Sequence, residues 1–234
     1  DKDAGSKTTY QYLKMFLKKG YVVKFLGDNF LHEEPYSTML QQMGIEILYG
    51  DEWACGIWDW LKKNGDEIDF AYLNRPHIAT KYVDFIKENT NIKVIYYGHD
   101  LHFLRLGREY ELTGDISIKR EADYWRAIEL SMMRKAEVSY YPSYVEIDAI
   151  HQIDPEIPAK AITAYVYDEF LTDIREDFEK REGLLFVGGF AHPPNADAVL
   201  WFAREIFPEI RKKLPDVNFY VVGSKVTDEI KALE

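Results

Sequence analysis

Short apolar runs alternate with amphipathic stretches along most of the chain, and this alternation restricts its fold more than any other feature. The runs at residues 93–97 and 138–141 are rich in apolar side chains, which is typical of strands buried on both faces of a parallel sheet. The stretches between such runs, for example residues 76–88 and 116–134, have the spacing of helices that bury one side. The pattern therefore predicts an α/β fold with a doubly wound parallel sheet.

One charged segment, DIREDFEKREG at residues 173–183, interrupts this alternation. We interpret it as a linker between a first domain at residues 1–172 and a second domain at residues 184–234. The second domain runs from LLFVGG to NFYVVG, which is little more than one βαβ unit. At the other end, DKDAGS leads into a helix with no strand before it. We therefore expect the fold to be truncated at both ends.

The composition argues against several classes of binding partner and of metal or disulfide site. The net charge of −11, from 29 basic and 40 acidic residues, argues against nucleic acid as a partner. Cys55 is the single cysteine, so neither an internal disulfide nor a cysteine-based zinc cluster can form. No apolar run approaches the ~20 residues that cross a bilayer, and no signal peptide is visible. We expect a cytoplasmic protein, with peripheral association at the inner face of the membrane left open.

Polar, chemically capable side chains follow two of the predicted strands. The run ending at Tyr97 is followed by Gly98, His99 and Asp100, and the run ending at Leu73 is followed by NRPH. In open α/β sheets, ligands bind beyond the carboxyl ends of the strands. The sequence thus predicts a cleft at this edge, with His99 and Asp100 as candidate catalytic residues. The other members of the predicted cluster are Arg75, His77, His102 and Arg105.

Several other kinds of site fit these residues less well. His99 and His102 are three residues apart and can share a helical face, but no third ligand for a metal is evident. The G-x-S-x-G turn of a serine nucleophile is absent. The 40 acidic residues supply too many carboxylate pairs to single out one for glycoside hydrolysis. Each histidine also has a purely structural alternative, as a cap or as a surface residue.

A second cluster lies in LLFVGGFAHPPNADAVLWF, residues 184–202. Here Gly188 and Gly189 follow an apolar run, and His192 and Asn195 lead into a helix for which Asn195 is the N-cap candidate. A glycine turn before a helix N-terminus suits an anion, although the motif is neither G-x-G-x-x-G nor a P-loop. A plain tight turn is the alternative.

The start of the chain also has a glycine before a predicted helix, but it is a weaker candidate for an anion site. Gly5 and Ser6 precede the first predicted helix, and Ser6 is its N-cap candidate.

Four segments resemble the family 4 (group 1) glycosyltransferases of bacterial surface-polysaccharide synthesis. They are DAGSKTTYQYLKMF, RPHIATKYVDFI, YYGHDLHFLRLGREYELTGD and FVGGFAHPPNADAVLWFAREIFPEIRKKLPDVNFYVVGS. The resemblance implies the GT-B architecture of two Rossmann-like domains, an acceptor-side N-terminal one and a donor-side C-terminal one. It also implies retaining transfer of a sugar from a nucleotide-sugar donor to a polysaccharide or lipid-linked acceptor. Neither a metal nor another cofactor is expected.

The same resemblance suggests roles for single residues. His99 matches the family's histidine near the transferred sugar, and Gly5 matches the glycine near the donor phosphates. Gly189 and the helix N-terminus at Asn195 match the donor loop. This loop lacks the arginine and lysine found in many relatives, and the family's E-x7-E element would lie beyond Glu234. We therefore expect the 234-residue chain alone to bind nucleotide sugars weakly or not at all, to be inactive in transfer, and to self-associate through its second domain.

Two other functions fit the same residues. A nucleotide-sugar epimerase can share this fold and would also use acid and base groups such as His99 and Asp100. A non-catalytic binding module is the third alternative.

Overall fold

The structure is a computed structural model that describes residues 4–167, 169–170 and 178–233. The chain divides into two compact units, Asp1–Asp168 and Glu169–Glu234. Every strand pair in the described part of the chain is parallel. The prediction of an α/β fold with parallel sheets is therefore confirmed.

The first unit alternates helices and strands throughout. Its elements are α1 (Ala4–Lys18), β1 (Lys24–Leu26), α2 (Tyr36–Gln42), β2 (Glu46–Leu48), α3 (Asp51–Asn64), β3 (Phe70–Asn74), α4 (Pro76–Asn89), β4 (Lys93–Tyr97), α5 (His102–Thr113), α6 (Ile116–Lys135), β5 (Val138–Tyr141), α7 (Tyr144–Ile153) and β6 (Ala159–Ala161).

The six strands of the first unit form two sheets. A four-stranded sheet has the order β3-β4-β5-β6, and β1 and β2 form a separate pair. The order of the four strands follows the sequence, so this sheet does not contain the reversal of strand order that defines a doubly wound sheet. The finer, Rossmann-like assignment therefore stays a prediction.

The core of the first unit lies on both faces of β4. Successive side chains of a strand point to opposite faces, and Tyr96 and Tyr97 are both almost fully buried. Tyr96 packs in a cluster with residues of α4 and α6, among them Val83 and Met133. Tyr97 instead contacts Tyr12 of α1, with 5.7 Å between the ring centroids. Helices thus cover both faces and leave the strand ends as the accessible edges.

Helix α1 begins at the carboxyl edge of the four-stranded sheet. The hydroxyl of Tyr12 donates to the carbonyl of Thr163, two residues after β6 ends. One turn later, Phe16 contacts Tyr72 in the middle of β3. Since α1 runs back along the sheet from this edge, its first turn lies on the same side as the loops that follow the strands.

The tryptophans of α3 pack against other aromatic side chains. Trp58 contacts Tyr82 and Phe85 of α4, and Trp53 contacts Trp60 on the same helix.

The second unit contains one parallel pair of strands with helices. Its elements are β7 (Leu184–Val187), α8 (Pro193–Trp201), a π-helical segment (Phe202–Ile206), α9 (Phe207–Lys213), β8 (Phe219–Val222) and α10 (Asp228–Lys231). Residues 173–177 of the predicted linker lie outside the described residues, and Phe178–Lys180 form a turn of 3-10 helix.

One face of the β7–β8 sheet is apolar and exposed. Phe186 and Val221 point inward and pack against a small core that includes Val199. The alternate positions point outward, and their side chains are between 51% and 70% exposed: Leu185, Val187, Tyr220 and Val222. Contiguous apolar surface of this kind promotes association.

We expect the double substitution Val187→Thr with Val222→Thr to weaken self-association of the chain by about tenfold or more, because it removes apolar surface from the exposed face while keeping β-branched side chains. Sedimentation velocity over a range of concentrations measures this. Leu112→Thr is the matched control, because Leu112 lies in the first unit and is 88% exposed. This substitution should leave association unchanged. Equal association of the wild type and the double variant would show that this face is not involved.

Candidate functional site

Two neighbouring loops at the carboxyl edge of the sheet hold left-handed backbone conformations. Arg75, directly after β3, has φ of 62°, and His99, two residues after β4, has φ of 63°. Such angles are uncommon for residues other than glycine and cost on the order of 1 kcal/mol each. The loop after β3 is tied to β4, because the Arg75 amide donates to the Tyr97 carbonyl over 3.1 Å. Strain of this kind is concentrated at functional sites.

The His99 imidazole is held between the two strand ends. Its Nε2 lies 3.1 Å from Oδ1 of Asn74, the last residue of β3. Its ring meets the Tyr97 ring edge to face, with 4.6 Å between the centroids. Asn74 is a site residue that the sequence analysis missed, although it directly precedes Arg75 at a strand end.

The phenol of Tyr97 extends this cluster into the interior. Its hydroxyl is buried and has no hydrogen-bond partner among the described residues. Burial raises the pKa of Tyr97 to about 12, with a smaller contribution from Tyr12. The phenol is therefore neutral at physiological pH, and it lies next to His99 as a potential hydrogen-bond donor.

The second fixed histidine is His102, in the first turn of α5. Its Nδ1 lies 3.1 Å from Oε1 of Glu129, a fully buried residue of α6. The ring of Trp125 packs against the imidazole, with 4.8 Å between the centroids. Glu129 is the other functional residue that sequence reasoning missed.

His77 and His102 occupy different electrostatic environments. The hydrogen bond to Glu129 raises the pKa of His102, against the opposing effect of burial. Burial lowers the pKa of His77, and the nearby charges of Arg75 and His102 lower it further. The two shifts have opposite signs, so His102 is the more basic imidazole of the pair.

Asp100 and Arg105 form an ion pair at the outer side of the same loop. Arg105 Nε lies 3.4 Å from Asp100 Oδ2, and both side chains are half exposed. Exposed pairs of this kind contribute on the order of 1 kcal/mol or less. The structure therefore brings all six predicted cluster residues to one edge of the sheet: Arg75, His77, His99, Asp100, His102 and Arg105.

The loop after β4 is supported from below by Tyr141. A Cβ atom at Gly98 would lie 2.1 Å from Cε1 of this fully buried ring. Gly98 is thus required for close packing of the loop on β5, and this packing sets the height of His99 above the sheet.

In the second unit, side chains of the same unit pack against the loop that contains Gly188 and Gly189. A Cβ atom at Gly188 would lie 2.9 Å from the Phe186 ring, and the side-chain Nδ2 of Asn195 donates to the Gly189 carbonyl over 2.9 Å. The prediction of Asn195 as an N-cap is wrong, because α8 begins at Pro193 with His192 as its N-cap residue. Proline at the first helical position fixes φ in the helical range, so the N-cap lies three residues earlier than predicted.

The start of α1 also differs from the prediction. Among the described residues α1 begins at Ala4, so Gly5 and Ser6 lie inside its first turn and Ser6 is not the N-cap. The Gly5 carbonyl accepts a hydrogen bond from the Thr9 hydroxyl over 2.9 Å. Both residues lie in the turn with which α1 begins at the carboxyl edge.

Other features of the described residues lie away from this cluster. A cavity of about 210 Å³ opens at the opposite, amino ends of β3 and β4, where Asp66, Asp69 and Lys93 contribute to its lining. In the part of the chain that the structure describes, no three histidine, cysteine or acidic side chains are grouped as a metal site. Across the same residues, no helix combines the length and the apolar character needed to cross a membrane.

Comparison with known proteins gives no family for this chain. No family model matches it, and no curated protein matches it.

Proposed function

We propose that the protein is a retaining glycosyltransferase of the GT-B type, which transfers a sugar from a nucleotide-sugar donor to a polysaccharide or lipid-linked acceptor. The observation that carries this proposal is the pair of left-handed loops at Arg75 and His99. Next to these loops, two imidazoles are fixed by Asn74 and Glu129. A site that orients a sugar hydroxyl needs fixed groups of this kind, since orientation supplies much of the rate.

The charge distribution of this edge suits a diphosphate leaving group. The 14-residue α4 begins there, and helix N-termini carry partial positive charge. Arg75 and Arg105 add two guanidinium groups, which bind phosphate oxygens in pairs of hydrogen bonds. These groups stabilise the negative charge that develops on the leaving diphosphate.

We assign binding of the nucleotide-sugar donor to two segments that contain glycine. In the first unit these residues are Gly5 and Ser6 at the start of α1. In the second unit they are Gly188, Gly189 and His192 in the loop after β7, with Asn195 in the first turn of α8. His99 and Asp100 are the proposed catalytic residues. No metal ion or other cofactor takes part.

Product analysis tests the function. The protein is incubated with a panel of nucleotide sugars and saccharide acceptors, and the products are identified by mass spectrometry. A glycosylated acceptor with released nucleoside diphosphate supports the proposal. Interconversion of two nucleotide sugars identifies an epimerase instead, and saccharide binding without turnover identifies a binding module.

We expect His99→Asn to lower the rate of sugar transfer by about a hundredfold while changing the free energy of unfolding by less than about 1 kcal/mol. Asparagine tolerates the left-handed backbone at this position, so the substitution removes the imidazole without adding strain. Transfer rates and urea denaturation measure the two effects. His151→Asn is the control, because His151 lies on α7 with its Nε2 3.1 Å from the Ile157 carbonyl oxygen. Equal losses of rate and stability in His99→Asn would assign the residue a structural role.

A further inference from the structure

Cationic side chains gather around His77 at the edge between β3 and β4, although the chain as a whole has a net charge of −11. Burial has the largest effect on the pKa of His77 and lowers it. Three nearby cations lower it further: Arg75, His102 and Lys81. Asp28 acts in the opposite direction, but its carboxylate already pairs with Lys81 over 2.5 Å. The electrostatic potential at His77 is therefore positive, which favours an anionic ligand.

Glu129 is a fully buried carboxylate of α6 that fixes the orientation of the His102 ring. Its Oε1 accepts from the backbone amide of His102 over 3.0 Å and lies 3.1 Å from Nδ1 of the same residue. Its Oε2 accepts from the Phe103 amide over 3.1 Å. Because a carboxylate oxygen only accepts hydrogen bonds, Nδ1 carries a proton in the neutral and in the charged ring. Nε2 is therefore the nitrogen at which the ring gains or loses its proton.

The side of the ring that carries Nε2 faces away from this buried carboxylate. The His102 side chain is 20% exposed, whereas that of Glu129 is fully buried. Nε2 makes no hydrogen bond to another residue that the structure describes. Trp125 packs against the imidazole, with 4.8 Å between the ring centroids, and restricts its rotation. When Nε2 is protonated, it can donate to a ligand at the edge of the sheet.

The charged groups that face His102 come from three helices and one loop. They are Glu129 on α6, Asp100 in the loop after β4, Arg105 on α5 and His77 on α4. Arg105 follows His102 by three residues, so the two side chains lie on the same side of α5. The ion pair between Arg105 and Asp100 is half exposed and 3.4 Å long. A second anion can therefore replace Asp100 at little cost in free energy.

We propose that His102 is a proton-linked phosphate-binding residue, whose imidazolium donates from Nε2 to an oxygen of a diphosphate group that Arg105 also contacts. The identity of this group as the diphosphate of a nucleotide sugar rests on the proposed function, whereas the binding of a diphosphate does not. No covalent bond forms or breaks in this step. A His102 ring that is neutral before binding takes up one proton at Nε2, because a bound anion favours the charged ring. Glu129 stays a carboxylate and stabilises the imidazolium.

This linkage determines how the affinity depends on pH. Diphosphate binding raises the pKa of His102, and protonation of His102 strengthens diphosphate binding by the same factor. The affinity is therefore highest below the pH at which the free protein titrates. It falls as the pH rises toward the titration of the complex, and above that pH it stays at the value for the neutral ring.

Histidine NMR and calorimetry with inorganic pyrophosphate, in buffer without divalent metal, test the proposal. We expect saturating pyrophosphate to raise the midpoint of the His102 titration by about one pH unit, which corresponds to about tenfold tighter binding by the charged ring. His102→Gln should bind pyrophosphate about tenfold more weakly than the wild type at acid pH and about as tightly at alkaline pH. Comparison of proteins at the same pH cancels the titration of pyrophosphate itself.

Two further variants complete the experiment. His151→Gln is the matched control and should bind like the wild type at every pH, because His151 lies on α7 with its Nε2 3.1 Å from the Ile157 carbonyl oxygen. Glu129→Gln keeps the His102 ring and the shape of the carboxylate but removes its charge. In this variant we expect free His102 to titrate at lower pH and pyrophosphate to bind more weakly at neutral pH.

Two results would overturn the inference while leaving the proposed function intact. One is a His102 titration that is the same with and without saturating pyrophosphate. The other is equal affinity of the wild type and His102→Gln for pyrophosphate at acid pH. A protein that shows the expected linkage but transfers no sugar would keep this inference and overturn the proposed function.

Discussion

Glu129→Ala is expected to lower the free energy of unfolding by about 3 kcal/mol. The side chain accepts hydrogen bonds from two backbone amides and one imidazole, and it is fully buried. Alanine would leave the amides of His102 and Phe103 without acceptors in the interior. An unsatisfied buried donor costs about 1–3 kcal/mol, and hydrogen bonds to charged groups are stronger than neutral ones. Urea denaturation followed by circular dichroism measures the change.

Glu121→Ala is the matched control, because Glu121 lies on the same helix and is exposed. It removes the same charge and gains the same helix propensity, and it should change stability by less than about 0.5 kcal/mol. If Glu129→Ala is as stable as Glu121→Ala, then the carboxylate does not hold α5 and the arrangement of His102 needs another explanation.

Gly98→Ala is expected to lower the free energy of unfolding by about 3 kcal/mol. The added methyl would lie 2.1 Å from Cε1 and 2.6 Å from the hydroxyl of Tyr141. Tyr141 is itself fully buried and packs against Tyr96, so neither the ring nor the loop can move without loss of contacts. Thermal or urea denaturation measures the effect.

Gly107→Ala is the control for this substitution. Gly107 lies inside α5, and a Cβ atom there meets nothing within 4 Å. It should stabilise the protein by up to about 1 kcal/mol, because alanine is the better helix former. A Gly98→Ala protein as stable as the wild type would mean that the loop after β4 does not depend on its contact with Tyr141.

Most elements of the fold were predictable because their signals are local. The bounds of β4 and β5 agree with the apolar runs at residues 93–97 and 138–141, and α6 extends one residue beyond its predicted end at residue 134. The first residues of α1 and α8, Ala4 and Pro193, were predicted less well. A polar residue near the start of a helix resembles an N-cap whether or not it serves as one. Strand order was not predictable in the same way, since it depends on pairings between distant segments.

The candidate site was predictable only in part, for a similar reason. Carboxyl ends of neighbouring parallel strands share one edge, so Arg75 and His99 could be placed together from the sequence. Glu129 could not, because its partner His102 is 27 residues away and on another helix. One signal was available: a glutamate between Trp125 and Met133, four residues from each on the buried side of α6, is out of place unless it has a partner.

We propose that saccharide and nucleotide sugar bind at the carboxyl edge of β3 and β4. Side-chain NMR of the histidines during titration with both compounds tests it most directly, since it also detects binding in the millimolar range. We expect the signals of His77, His99 and His102 to shift and that of His151 to stay unchanged, because the His151 Nε2 contacts the Ile157 carbonyl. Unchanged signals from all three edge histidines at saturating ligand, or shifts confined to His151, would contradict it.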